Sequence, residues 1–435
     1  MVDEEGHRFE LLLTAVPGPR SRELRTTLAT YEARGVTYLA DDYPVFWESA
    51  HGALVTDVDG NQFIDLTSAF GVANVGHTNE YVAAAIGDQA VRLIHGMGDV
   101  HPTEVKTELL QTLAEITPGD LQKTYLTTSG AEAVEFALKT AVLATGKSRF
   151  LAYHGGYHGL TLGTLEVIGI PKFREPFASL VGERTTWLAF PGAETTADAA
   201  VADARAALER DSQIAAILVE PIQGRGGVIV PPKGFLRGLR ALCDERGVLL
   251  ILDEIYTGFG RTGTMFACEH EGIVPDILCM GKAIAGGVPL SATIGRASVM
   301  DAWALNDGEA LQTSTYLGNP LACAAALANI GELQRLDLLA HVVRREAWIA
   351  ERLKRFVVYD DIVAVRGVGY LWGLEFRTAA KANRVVVDGL AKGIILLQSG
   401  PTGTSVTIAP PLVIDDDQLA RGLDLLETTI RESTA

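Results

Sequence analysis

The chain has 435 residues, which at roughly 150 residues per domain predicts two to three structural units around a large core. Hydrophobic residues make up 48% and charged residues 21%, a balance that argues against a disordered or fibrous chain. With 37 Lys+Arg against 54 Asp+Glu the formal charge is -17, so no general attraction to nucleic acid or to an anionic membrane is expected.

The opening residues, MVDEEGHRFE, are acidic where a secretory signal would be basic, and no apolar stretch approaches the eighteen or so residues of a membrane span. A Pro/Gly-containing segment at Pro17 to Pro19 and the stretch LVTDVDGNQFIDL follow. Asp59-Gly60-Asn61 in that stretch is a turn signal, predicting a hairpin in a layer of its own. The four cysteines, Cys243, Cys268, Cys279 and Cys323, are widely spaced and form no C-x-x-C, which fits a reducing cytoplasm.

From about Lys123 to Met280 short apolar runs alternate with helical patterns, the signature of an α/β unit. The predicted strands are residues 123–127, 149–153, 214–219, 248–252 and 276–280. Ligands of open α/β sheets sit beyond the carboxyl ends of the strands, so residues that follow these five runs are expected to converge on one site. After the first, TTSGAEA opens a helix with Ser129 and Glu132 in capping-box spacing, and the small residues leave its N-terminus open to a phosphate. After the second, HGGYHG sets Tyr157 among glycines, where its face can meet a planar ligand. His154 and His158 stand four apart, but the glycines disfavour the helix a two-histidine metal site would need.

The fourth run ends in Asp253, with Glu254 beside it, and the fifth is followed by Lys282. A lysine there is partly desolvated and drawn toward nucleophilic amine behaviour. The 29 residues between Asp253 and Lys282 suffice for one crossover that brings both to the same sheet edge. Gly258 to Gly263 spells G-x-G-x-x-G, the dinucleotide fingerprint, yet TMFACEHEG after it is not a convincing helix. Beyond about Gly331 a charged helix, strand-like pieces and a final amphipathic helix predict a smaller α+β unit.

LILDEIYTGFGRTG, followed by PDILCMGKAIAGG, resembles the class III pyridoxal-phosphate-dependent aminotransferases. DGNQFIDL, NVGH, TTSGAEAVEFALK, GGYHG, VEPIQG, TYLGNPLACAAALA and APPL extend the resemblance over nearly the whole chain. It implies the fold type I α/β architecture: a large domain with a mainly parallel sheet, and a smaller α+β domain built from both chain ends. The expected boundaries are an N-terminal segment over 1–75, a cofactor-binding domain over 76–330 and a small domain over 331–435. The resemblance also implies pyridoxal 5'-phosphate as cofactor, small amine and oxo substrates, and a homodimer.

By the same resemblance Lys282 is the Schiff-base lysine and Asp253 the carboxylate that keeps the pyridine nitrogen protonated. Ser129, Gly130 and Ala131 match the phosphate-binding turn, Tyr157 the ring-stacking aromatic with His158 beside it, and Ile255 the residue on the ring's other face. Thr315 matches the threonine that reaches the neighbouring subunit's phosphate, while Phe70, Glu220 and Gln223 are expected toward cofactor and substrate. The departures concern carboxylate recognition. Leu160 and Thr407 stand where arginines are usual, and neither can imitate a bidentate guanidinium. EPIQGRGG instead places Arg225 where the family has an acidic residue, either as a relocated carboxylate anchor or as a surface or subunit-bridging residue. Arg20, Arg22 and Arg25 are other candidates for the anchor. The expected activity is amino transfer. The alternative is an amino-acid or lactam racemase or epimerase, with Tyr256 as a second acid/base, although lactam racemases carry an acidic residue at the position of Arg225 and a lysine at that of Tyr256.

Overall fold

The computed structural model describes residues 11–305 and 307–433; the acidic opening stretch lies outside them. Near the N-terminus, strands β1 (Trp47–His51), β2 (Leu54–Asp57) and β3 (Gln62–Asp65) form an antiparallel meander. Its β2–β3 hairpin turns at the predicted Asp59-Gly60-Asn61 with Leu54 paired to Ile64.

The central sheet has seven strands: β4 (Leu121–Thr127), β5 (Arg149–Tyr153), β6 (Thr185–Leu188), β7 (Ile214–Val219), β8 (Leu249–Asp253), β9 (Ile277–Met280) and β10 (Ser291–Arg296). Their order is β4-β10-β9-β8-β7-β5-β6, with β10 antiparallel to both its neighbours and the run from β9 to β6 parallel. Why the inner strands read as continuous apolar runs is visible in their packing. Ala216, Leu218, Ile251, Ile277 and Cys279 pack with Ala133, Ala137 and Ala141 of the helix Gly130–Thr145. The alternate residues Ile217, Val219, Leu250, Leu252, Leu278 and Met280 share a second cluster with Phe235 and Leu239 of the helix Phe235–Arg246. A strand covered on both faces needs apolar residues at every position.

Four strands of the C-terminal part, β11 (Ile362–Val368), β12 (Leu371–Phe376), β14 (Leu397–Ser399) and β15 (Ser405–Ile408), make a third sheet in the order β11-β12-β15-β14. The short β13 (Ile394–Ile395) pairs in parallel with β3, so chain ends far apart in sequence share one sheet.

The G-x-G-x-x-G stretch is a series of turns, and the next element is the 3-10 helix Ala267–Glu271. Among the described residues no α-helix opens directly after it, so the strand–turn–helix context of the dinucleotide reading is missing. Its arginine does something else. Arg261 is fully buried and donates to the carbonyls of Tyr370 (3.2 Å) and Pro410 (2.6 Å), to Ser68 Oγ (2.9 Å) and to Asn74 Oδ1. One guanidinium thus ties the central unit to segments from both chain ends. Among the described residues, no helix is long and apolar enough to cross a membrane.

Candidate active site

The carboxyl ends of β4, β5, β7, β8 and β9 open into one cavity of about 480 Å³. Gly130 and Ala131 line it from the first turn of the helix after β4. Ser129 caps that helix, its Oγ accepting from the Glu132 N–H (3.3 Å) while Glu132 Oε2 accepts from the Ser129 N–H (2.9 Å). With the Ser129 side chain occupied in the cap, the amides at Gly130 and Ala131 and the positive end of the helix are left for an anion. A Cβ on Gly130 would stand 2.8 Å from Ile255 Cδ1, so this turn and the Ile255 wall approach as closely as glycine permits.

Asp253, the last residue of β8, is buried and pairs through Oδ2 with His158 Nδ1 at 2.8 Å, while Oδ1 accepts the Ile255 N–H at 3.1 Å. Burial would lower the His158 pKa, but the hydrogen bond and charge of Asp253, with the charge of Glu220, outweigh it and raise the value. His158 thus orients Asp253, and among the described residues no group of three or more His, Cys, Asp or Glu stands together to hold a metal ion. Glu254 points elsewhere. It accepts the N–H groups of Ala267 (2.9 Å) and Cys268 (2.8 Å) and the Thr257 hydroxyl, a structural cap.

Lys282 lines the cavity just past β9, its backbone held at φ +41°. Burial draws its amine pKa down, against the charges of Asp253 and Glu220, which favours the nucleophilic free amine. Its Nζ lies 4.8 Å from the centroid of the Tyr256 ring. Glu220, just past β7, takes the Tyr157 N–H (2.9 Å) on one oxygen and the Gly224 N–H (3.0 Å) on the other. Burial pushes its pKa up to about 7, countered by His158 and reinforced by Asp253.

Of the other predicted residues, Tyr157, Ile255, Arg225 and Phe70 line the cavity, Phe70 at its exposed mouth. Phe70 sits in a run of left-handed residues, Ser68 to Gly71, with φ of +50°, +47°, +65° and +81°. Gln223 is buried but turned away, its amide donating to the His154 carbonyl (2.9 Å), so it braces the Tyr157 loop from behind. Thr315 is exposed on a turn and does not line this chain's cavity. Neither Arg20, Arg22 nor Arg25 lines it; Arg20 pairs with Glu23 and Arg25 with Asp41.

Residue-level reading of the sequence missed Leu397 and Ser399, which complete the wall. Ser399 Oγ and Thr407 Oγ1 lie 2.7 Å apart, both buried, and Thr407 stands where the family resemblance implies a carboxylate-binding arginine. The signal for them is the β14–β15 register, which pairs Leu397 with Thr407 across two short strands.

A buried amine, a buried carboxylate backed by histidine, an aromatic and an aliphatic wall, and an open helix N-terminus stand around one cavity. Residues 37–430 match the family Aminotransferase class-III. The chain belongs to this family. It is 39% identical over 401 residues to a putrescine aminotransferase of Pectobacterium atrosepticum, covering 90% of this chain and 83% of that one. To a 4-aminobutyrate aminotransferase of Mycobacterium leprae it is 37% identical over 437 residues, covering 95% and 96%. An amine transaminase from an uncultivated Pseudomonas species, solved in a PLP-bound form, superposes with a TM-score of 0.85 at 29% identity, covering 92% of this chain and 98% of that one. These comparisons give no support to the racemase alternative.

The chain is a pyridoxal-phosphate-dependent class III aminotransferase of fold type I. The residues present fit the cofactor: the Gly130–Ala131 turn would take its phosphate, Tyr157 and Ile255 would flank its ring, Asp253 would face its ring nitrogen and Lys282 would meet its carbonyl carbon. Bound there, pyridoxal phosphate supplies an electron sink for a substrate carbanion. The protein would then contribute a fixed carboxylate at Asp253 and, at Lys282, an amine able to take up and return a proton.

Proposed function

We propose that this aminotransferase moves an amino group from an amino-acid donor to an oxo-acid or aldehyde acceptor, holding the substrate carboxylate on Arg225. Arg225 carries this reading. Its guanidinium lines the cavity half-buried, and the hydrogen bond it makes is from Nη1 to the Gln398 carbonyl at 3.3 Å. Among the described residues no carboxylate pairs with it. A desolvated cation without a counter-ion is stabilised by an incoming anion, and a guanidinium offers a carboxylate two parallel donors. Leu160 and the Ser399–Thr407 pair then serve as an apolar and a hydroxyl-bearing wall, and Gln223 steadies the loop that carries Tyr157. Glu220, free of an arginine partner, faces the substrate amine.

The test is a half-reaction screen. Single amines are added to holoenzyme in deuterated buffer without acceptor, and cofactor absorbance and substrate deuterium are followed in wild type and Arg225→Gln. Bleaching by carboxylate-bearing donors that is selectively weakened in the variant supports the proposal; deuterium uptake with inversion and no bleaching refutes it.

The working unit in this proposal is a homodimer, with Thr315 reaching the phosphate in the neighbouring subunit's site. Exposed apolar residues near Thr315 in sequence, Leu311 and Tyr316, together with Val91 and Ile94, support a covered surface there. Thr315→Val should weaken cofactor retention without altering sedimentation as a dimer. The division at 1–75, 76–330 and 331–435 belongs to the same reading, supported by the separate sheets, as does a cytoplasmic location, supported by four buried free cysteines.

A further inference from the structure

The loop that carries Arg225 is closed at its base and clamped at its tip. At the base Gln223 and Ile229 exchange both backbone hydrogen bonds, at 3.1 and 3.0 Å, so residues 224–228 project as one turn. That turn needs an unusual backbone, with Gly227 at φ +102° and Val228 at φ +55°. Glycine accepts this region, but a β-branched residue is held there only where its surroundings over-determine it. Val228 is fully buried with Ile222, Leu371 and Ala409. The turn has no slack against the C-terminal sheet, since a Cβ on Gly373 would stand 2.7 Å from the Gly227 carbonyl oxygen and one on Gly227 would stand 2.7 Å from Ser405 Oγ. Arg366 of β11 completes the clamp. It donates from Nε to the Val228 carbonyl and from Nη2 to the Gly227 carbonyl, both at 3.1 Å, while Nη1 donates to Glu375 Oε2 of β12 at 2.5 Å. Its side chain is only 22% exposed, so water competes weakly for these bonds. A planar fork set on two successive carbonyls fixes their orientation as well as their distance.

We propose that Arg366 is a positioning residue for substrate recognition, aiming the Arg225 guanidinium into the cavity through the Gly224–Val228 turn. This rests on the reading of Arg225 as the carboxylate anchor given above and adds how the anchor is held. The path between the two arginines is short and continuous. Within the turn, the Arg225 carbonyl accepts the Gly400 N–H at 2.9 Å and its Nη1 reaches the Gln398 carbonyl at 3.3 Å, so Arg225 is registered on β14 while Arg366 fixes the tip beside it. A guanidinium on a held turn meets a carboxylate in one pose and loses less freedom on binding. Arg366 itself does not line the cavity, and its pairing with Glu375 keeps it from competing for the substrate anion.

Propionate, a carboxylate without an amine, is titrated against holoenzyme of the wild type, Arg225→Gln, Arg366→Met, Arg366→Lys and the Arg225→Gln/Arg366→Met double variant. Affinity is read from cofactor absorbance and from the ligand-induced rise in unfolding temperature, and cofactor retention is measured separately on each protein by equilibrium dialysis. Arg366→Met should weaken propionate binding about tenfold, the worth of a hydrogen bond to a charged group. Its cofactor affinity should stay within about twofold of wild type, because the phosphate turn and Lys282 lie on other elements. Arg366→Lys keeps the charge and most of the volume, so it stays measurable even where the methionine variant does not fold. It should still bind propionate about threefold or more weakly than wild type, since one ammonium cannot serve two carbonyls and Glu375 in the geometry of a fork. In the double variant, Arg366→Met should add nothing to the loss from Arg225→Gln, because it acts through Arg225. If Arg225→Gln binds propionate as wild type does, the Arg225 reading fails and the positioning role falls with it. If that variant weakens binding and neither Arg366 variant does, the positioning role alone fails. Equal losses of propionate and cofactor in the Arg366 variants, or losses that add in the double variant, also overturn it, since the arginine then only holds the fold together.

Discussion

Replacing Arg261 by methionine tests whether one buried cation holds the two chain ends to the central unit. The guanidinium is fully enclosed, and burial lowers its pKa to about 10, so it is a costly group to keep charged. It makes four hydrogen bonds, to Tyr370, Pro410, Ser68 and Asn74. At roughly 1.5–3 kcal/mol for each bond from a charged donor, these total about 6–12 kcal/mol. Several kcal/mol return when the buried charge is removed, leaving a net loss of about 3–5 kcal/mol. With a urea slope of about 3 kcal/mol per M, the unfolding midpoint should fall by about 1–1.7 M. Arg261→Lys should do no better than methionine, because an ammonium cannot span acceptors placed for a planar fork. Limited proteolysis should show new cleavage near Ser68 to Asn74, which the arginine anchors. A methionine variant with a midpoint within about 0.3 M of wild type would show that the network carries no net stability and that packing alone unites the segments.

Two further outcomes follow from the site. Gly159 has φ +117°, and a Cβ there would meet Ala131 Cα at 2.8 Å, so Gly159→Ala should displace the Gly130–Ala131 turn proposed for the cofactor phosphate. Equilibrium dialysis should show cofactor affinity weakened by about tenfold or more, at a cost of about 1–3 kcal/mol in stability; unchanged affinity would remove that turn from the cofactor site. Glu220 has its folded value raised from 4.5 to about 7, so its contribution to stability is fully present below about 4.5 and is lost as pH rises through about 7. Glu220→Gln should therefore flatten the fall in unfolding temperature between about pH 4.5 and pH 7, and an equally steep fall in the variant would mean that another group titrates.

The inner strands of the central sheet were legible because double burial forces apolar residues at every position; β8 and β9 were each placed within one residue. β6 lies at the sheet edge and is only half-buried, so it carries no such run. β10 is buried, yet it is built as SATIGR, small residues that let the helix Gly130–Thr145 come close enough for Thr293 Oγ1 to donate to the Ala133 carbonyl at 2.7 Å. Small-residue strands do not announce themselves by hydropathy. At the site, Asp253, Lys282 and Glu220 were readable because each directly ends or follows a strand. Direction was not readable: whether Gln223 faces the cavity depends on a hydrogen bond to a loop 69 residues away, and Ser399 enters only through strand register.

The left-handed run from Ser68 to Gly71 makes the mouth of the cavity a place where sequence change is unequal in its effects. Ala69 and Phe70 hold a backbone shape that costs each about 1–2 kcal/mol. A glycine at either position would relieve that cost and loosen the rim, while a β-branched residue would tighten nothing and raise it. Drift toward glycine here would trade backbone strain for a looser entrance, so stability and the shape of this rim are coupled through these two positions.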